Sequence, residues 1–387
     1  HVAPLGYVWP ALWGADQILT QIANCALFLV SVILIWAFMR RTGGRLAAFV
    51  ACAILIGHPD LKDHSAQVLT ESLYLFGFSL SLFAIGQAMA NQARYRWLGL
   101  MALGLTITLL TRPVLQYMLL LVLVLSICLS VVGHVKQQAR AITAALLVSL
   151  ILPVAVIVKN GVYFDVWSIG TGSGTGLFYG LSPHRNGAEP VYSNFSYDAD
   201  VIPYMVDPTT KGHPLAKSSD AINQAVALEI VKQTHWRDNV AFLAKKLRMW
   251  LFTSTPELYI NPKLRWIRLS EWLIIACFLA SIIFRRRHIA SAILPGDTLT
   301  SRQKALLFTG MLAGVVIMAS QLSPVLYNTR YASYFIEPWL LALTGWSVSY
   351  LILGNLWPIN KFWRFPLTIA ILAFLISAAY ALTQHAL

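Results

Sequence analysis

Apolar residues run almost unbroken through ten stretches of this chain, at roughly 21–39, 45–57, 69–90, 97–111, 114–132, 141–158, 270–284, 305–322, 334–354 and 365–383. Each is read as a helix. A run of about twenty apolar residues spans a roughly 30 Å hydrocarbon core in helical form, and a soluble core of this size has no need of so many. The pattern predicts an all-α polytopic membrane protein. One long segment interrupts it, dividing the chain into N-terminal helices (1–159), a loop domain (160–268) and C-terminal helices (269–387).

The polar positions between the runs give them a direction. Basic residues collect after the first, third, fifth, seventh and ninth helices: Arg40, Arg41 and Arg45; Arg94 and Arg96; Lys136 and Arg140; Arg285, Arg286 and Arg287 with Arg302 and Lys304; Lys361 and Arg364. The short loops on the other side carry little beyond Lys62, Arg112 and Arg330. Cytoplasmic loops are the basic ones, so the segment 160–268 and the C-terminus are expected outside the cytoplasm.

Two of the runs, 45–57 and 97–111, are too short for a full bilayer. Helices that stop short leave polar ends inside the protein, which is tolerated where they line a watery cavity. His58, Pro59, Asp60, Lys62, Asp63, His64 and Glu71 follow the first short run, and Thr111, Arg112 and Pro113 the second. Tyr327, Asn328, Arg330 and Tyr331 precede the ninth helix on that same side. Three polar sets on one face predict a single site.

Within the loop domain a glycine-rich run, residues 170–176, leads to Tyr179-Gly180 and on to His184-Arg185-Asn186-Gly187. Glycine runs can cradle phosphate through backbone N–H groups, but this one lacks the lysine of a P-loop; a loop without a ligand is the alternative. Ser219 or Asp220 is placed to cap a helix starting at Ala221. Trp236, Val240, Leu243, Leu247 and Trp250 recur at steps of four and three, with Lys245, Lys246 and Arg248 on other faces. That is an amphipathic helix, lying on the membrane surface or packed against the loop domain. Asn194-Phe195-Ser196 matches a glycosylation sequon, a pattern common by chance.

Composition sharpens the picture. The chain is 57% hydrophobic and only 12% charged, with a mean hydropathy of +0.64, against about 45–50% and 25% in soluble domains. Its net charge of +13 sits in alternate short loops, which excludes a nucleic-acid face. Cys25, Cys52, Cys128 and Cys277 stand singly in apolar runs and read as small core residues. The sequence opens on His1 in an aromatic stretch with no signal-peptide pattern, and a segment upstream is expected.

Leu69-Thr70-Glu71-Ser72-Leu73 opens a helix, and Leu110-Thr111-Arg112-Pro113 closes a later one. Leu177-Phe178-Tyr179-Gly180 runs on to Asn186-Gly187, and Thr329-Arg330-Tyr331 stands before Glu337-Pro338. In this order and spacing the chain resembles the GT-C superfamily of integral-membrane glycosyltransferases, in the branch of the aminoarabinose transferases of lipid A and the protein O-mannosyltransferases. The resemblance implies a GT-C-like helical bundle in the bacterial inner membrane, with one large extracytoplasmic loop and the active site on the periplasmic side. Such an enzyme takes a sugar from a polyprenyl phosphate donor and gives it to a glycan, lipid or protein acceptor.

By the same resemblance Glu71 matches an acidic position that holds a divalent cation (Mg or Mn) or orients the reacting groups. Arg330 and Arg112 match positions suited to the lipid phosphate. The family's principal catalytic carboxylate lies in the first outer loop; Pro4 to Gly14 resembles the tail of that loop, and Asp16 does not match the acid. The base is therefore expected outside this sequence.

Transfer from a phosphate carrier needs a carboxylate for the acceptor proton and cations for the departing phosphate. Asp63 and Glu71 are the candidates for the first. Arg330, Arg112 and Lys62, with Tyr331 beside them, are the candidates for the second. Tyr179, His184 and Asn186 are the candidate loop contacts to substrate. The ordinary reading is that these charges, at helix ends, snorkel to the interface. His58-Pro59-Asp60 has no metal-ligand partner at helical spacing. A non-catalytic subunit of the same fold and a lipid or sugar transporter are the rival functions; the absence of an internal repeat tells against the transporter.

Overall fold

The computed structural model describes residues 3–90, 94–131, 136–164, 167–170, 173–182, 214–252, 262–284 and 301–353. The expected helix 365–383, the loop residues His184 and Asn186, the sequon, and the basic residues Arg285, Arg286, Arg287, Lys361 and Arg364 lie outside them.

Every element among the described residues is a helix. The first half holds α1 (Pro4–Ala11), α2 (Gln17–Gly57), α3 (Pro59–Ser65), α4 (Glu71–Ala90), α5 (Arg94–Thr111), a 3-10 turn (Pro113–Leu115), α6 (Gln116–Val131) and α7 (Lys136–Phe164). The second half holds α8 (Ser173–Leu181), α9 (Pro214–Gln233), α10 (Trp236–Phe252), α11 (Pro262–Phe284), α12 (Ser301–Leu322), α13 (Thr329–Phe335) and α14 (Glu337–Leu353).

The helical stretch α2 holds both of the first two predicted runs. It reverses at Gly44, whose φ of 85° and ψ of −179° belong to a region that only glycine occupies readily. The reversal is visible in the contacts: Cys52 Sγ lies 3.6 Å from Val32 O, whereas twenty residues of straight helix would hold them about 30 Å apart. One basic cluster, Arg40, Arg41 and Arg45, therefore sits at the tip of a helical hairpin.

Side-chain hydrogen bonds fix the two ends of the bundle. At the hairpin end Trp346 Nε1 donates to Thr42 Oγ1 (3.0 Å), Ser349 Oγ to Gly43 O (2.9 Å) and Gln303 Nε2 to Met89 O (3.2 Å). At the opposite end Asn24 Nδ2 donates to Gln67 O and Leu69 O (2.7 and 2.9 Å), and Trp9 Nε1 donates to Asn24 Oδ1 (2.8 Å). Glu71, Arg112 and Arg330 belong to this second end.

Helix α14 is apolar nearly all round and buried nearly all round, as such a helix must be; Leu340, Leu341 and Leu343 have no exposed surface. It packs on α2, α11 and α12. By contrast α6 and α7 turn Leu120, Val124, Ile151 and Leu152 outward, a surface suited to lipid rather than water. Among the described residues five stretches are long and apolar enough to cross a membrane: Gln17–Gly57, Glu71–Ala90, Pro113–Val131, Ala139–Tyr163 and Gln303–Leu322. The protein is accordingly a multi-pass membrane protein, all-helical over the described residues.

Several boundaries depart from expectation. Helix α11 begins at Pro262, eight residues before the apolar run, so that Arg268 becomes helical and, like Glu271, is buried. The run 334–354 is broken at Ile336 into α13 and α14. Residues 4–11, expected as irregular, form α1, with Pro4 at its first turn where a missing N–H is harmless. Helix α9 starts at Pro214, not Ala221, so neither Ser219 nor Asp220 caps it. Asp220 caps another helix: its Oδ1 accepts from Gly174 N (2.7 Å) and Thr175 N (3.3 Å), and its Oδ2 from Ser173 Oγ (3.2 Å). The second half of the glycine run is thus the start of α8, packed on α9.

Candidate functional site

Three chain segments converge at the end opposite the hairpin. Thr70 accepts the first turn of α4 through its carbonyl, from Tyr74 N at 3.0 Å, and Glu71 follows in the first turn, where a carboxylate suits the helix dipole. Helix α5 stops at Thr111 because Pro113 drives Arg112 into an extended conformation (φ −147°, ψ 112°). That turn sends the Arg112 side chain toward α4. Asn328 caps α13 by accepting from Arg330 N at 2.8 Å, which fixes Arg330 in its first turn.

The three charges meet on one oxygen. Arg112 Nη2 donates to Glu71 Oε1 at 3.0 Å, and Arg330 Nε lies 3.3 Å from the same atom. Arg112 Nε also donates to Thr70 Oγ1 at 3.1 Å. The Tyr331 ring faces both guanidiniums, 5.5 Å from that of Arg112 and 5.1 Å from that of Arg330, within reach of cation–π attraction. Burial is graded: the Glu71 side chain is 1% exposed, Arg112 17% and Arg330 25%. A buried anion thus carries two cations that reach the surface, leaving one net positive charge.

Of the residues singled out from sequence, Glu71, Arg112, Arg330 and Tyr331 are brought together. Lys62 and Asp63 are not. They pair with each other at 4.0 Å on α3, 43% and 50% exposed, beyond ion-pair reach of Glu71. Helix α3 nonetheless docks on α13, with Ser333 Oγ donating to Asp60 Oδ2 (2.9 Å) and Tyr334 OH to Leu61 O (3.0 Å). Tyr179 sits on α8 with its ring 5.8 Å from that of Phe178.

A cation at Glu71 would have to share Oε1 with the arginines. Two guanidiniums occupy the approach to Oε1, and among the described residues no three His, Cys, Asp or Glu side chains are grouped to hold a metal. The other Glu71 oxygen, Oε2, is buried and accepts no hydrogen bond from the described residues. In this arrangement Glu71 Oε1 holds the two arginines side by side.

A second ionic cluster lies behind α13 and was not foreseen. Arg268 is 1% exposed and Glu337 has no exposed surface. Arg268 Nε and Nη2 lie 3.0 and 2.7 Å from Glu337 Oε2; Nη1 donates to Trp250 O (3.2 Å) and Nη2 to Ala332 O (3.5 Å). Glu271, also buried, lies 3.8 Å from Arg268 Nε. His58 Nε2 lies 3.7 Å from Glu337 Oε2, and its Nδ1 accepts from Leu61 N. Burial holds the His58 imidazole below its usual range against the pull of Glu337, in keeping with an unprotonated Nδ1. The signal available in sequence was Arg268 and Glu271 at a helical i, i+3 spacing across the start of an apolar run.

Comparison with protein-family models, with curated proteins and with solved structures finds no match.

Proposed function

We propose that the protein is a glycosyltransferase of the membrane, moving a sugar from a polyprenyl phosphate donor to an acceptor outside the cytoplasm. The observation that carries the reading is the convergence of Arg112 and Arg330, each partly exposed, on buried Glu71 at one end of an apolar bundle. Guanidiniums bind phosphate through paired N–H groups, and a prenyl chain needs apolar surface alongside. The outward apolar flanks of α6 and α7 supply such surface. In this reading the two arginines hold the donor phosphate and offset its charge as the sugar leaves, and Asp63 on neighbouring α3 is the candidate base.

The test is binding of a polyprenyl phosphate to the purified protein, set against the uncharged polyprenol. Arg112→Ala and Arg330→Ala each remove a charge-assisted contact, commonly about 1.5–3 kcal/mol, or roughly a 10- to 150-fold loss of affinity. Polyprenol binding should not change. Equal affinity of the unaltered protein for phosphate and alcohol would overturn the assignment. The buried state of Glu71 favours a second reading, a non-catalytic subunit that binds the lipid carrier; binding without turnover of any polyprenyl-phosphate sugar would select it.

A further inference from the structure

The segment 323–328, which delivers the chain into α13, is held from one side by α8 and α10. Leu326 N donates to Gly176 O at 2.9 Å. Gly180 lies so close to it that an added Cβ would clash with the backbone of Pro324 and Val325. Lys246 reaches between the two backbones from α10. Its Nζ donates to Gly180 O at 2.5 Å and to Val325 O at 2.6 Å, and the residue has no exposed surface. One turn further along α10, Trp250 packs edge-on against Tyr327, centroids 5.1 Å apart.

A lysine on an amphipathic surface helix normally points to water. This one is turned inward, and its ammonium donates to two main-chain carbonyls instead. One of them, Gly180 O, lies at the end of α8. The other, Val325 O, is five residues before Arg330. We infer that Lys246 is a positioning residue for Arg330: it locks the entry to α13 onto α8 and thereby sets the guanidinium beside Glu71 and Arg112. The functional half of the inference rests on reading the arginine pair as a phosphate site.

Lys246→Met keeps the length and the apolar stem but removes the donors. Hydrogen exchange followed by mass spectrometry should show faster exchange across 323–331 and the last turn of α8, with 71–90 unchanged. Affinity for a polyprenyl phosphate should fall about tenfold, the loss of one well-placed charge-assisted contact, with polyprenol affinity constant. Lys246→Arg, which keeps N–H donors at the same place, should restore part of both. Unchanged exchange across 323–331 overturns the inference, as does faster exchange with undiminished phosphate affinity. Faster exchange in a protein whose unaltered form binds no polyprenyl phosphate supports the coupling and rejects the phosphate reading. Should the methionine variant not fold, Lys246→Gln carries the same two readouts.

Discussion

Replacing Arg268 by Met offers a quantitative test of the second ionic cluster. The guanidinium sits within 3.0 Å of Glu337 Oε2 through both Nε and Nη2, and methionine fills much of its volume without the charge. Glu337 would then be a carboxylate with no exposed surface and no cation. Stranding a buried charge in this way costs about 3–5 kcal/mol. The carbonyls of Trp250 and Ala332 lose a donor as well, but at 3.2 and 3.5 Å those bonds are long and add little. Adding Glu337→Gln to Arg268→Met removes the stranded charge and should recover about half of the loss, on the order of 2 kcal/mol. Recovery is incomplete because the double variant restores none of the donors that Arg268 gave to its carboxylate and carbonyl partners. His58 is a poor substitute cation for Glu337, since burial, the largest influence on its ring, still disfavours the charged form. Equilibrium unfolding in mixed detergent micelles, followed by tryptophan fluorescence, gives both values. A single-variant cost under about 1 kcal/mol, or a double variant no more stable than the single, would refute the reasoning.

Gly44→Ala should destabilise by about 1–3 kcal/mol, because the hairpin tip demands a φ of 85° with an extended ψ, a region nearly closed to residues with a Cβ; the same unfolding assay reads it. The Lys246 ammonium is pushed down by burial from 10.5 to about 7. Between those values the unfolded chain binds the extra proton, so this group makes stability rise as pH increases from about 7 toward 10. The slope, worth on the order of a few kcal/mol over the whole window, should vanish in Lys246→Met and persist in Arg268→Met.

The apolar runs show plainly in the sequence because lipid demands unbroken helices, and so does the side on which Glu71, Arg112 and Arg330 fall. Periodicity says where a helix is greasy, however, not where its backbone bonds begin. That is why α11 starts at Pro262 and carries Arg268 inward, although the apolar run begins at Ser270. The break at Ile336 is equally hidden, since both sides of it are apolar. Asp220 shows the limit most clearly: as an acid in a polar stretch it reads as the cap of its own helix, but its carboxylate serves the start of α8, forty-six residues upstream in Gly174. Tertiary proximity decides which N–H groups it meets. Lys246 escapes for the same reason, because helical position alone puts it with the solvated charges.

Helix α13 has only seven residues, too few to hold its own shape in water, and nearly every part of it is fastened. Asn328 caps its start, Arg330 is drawn to Glu71, Ser333 and Tyr334 bond to α3, and Arg268 grips Ala332 O and, just past the break, Glu337. The tethers matter because an arginine side chain carries about 2 kcal/mol of rotamer entropy, which a ligand must otherwise overcome on binding. Glu71 holds Arg330 and Arg112 against one oxygen before any ligand arrives, and the Tyr331 ring restricts them further. The shared anion weakens the local field but fixes the geometry. If the ligand is the proposed phosphate at the end of a long apolar chain, whose position the membrane already constrains, fixed geometry contributes more than an additional charge free to wander.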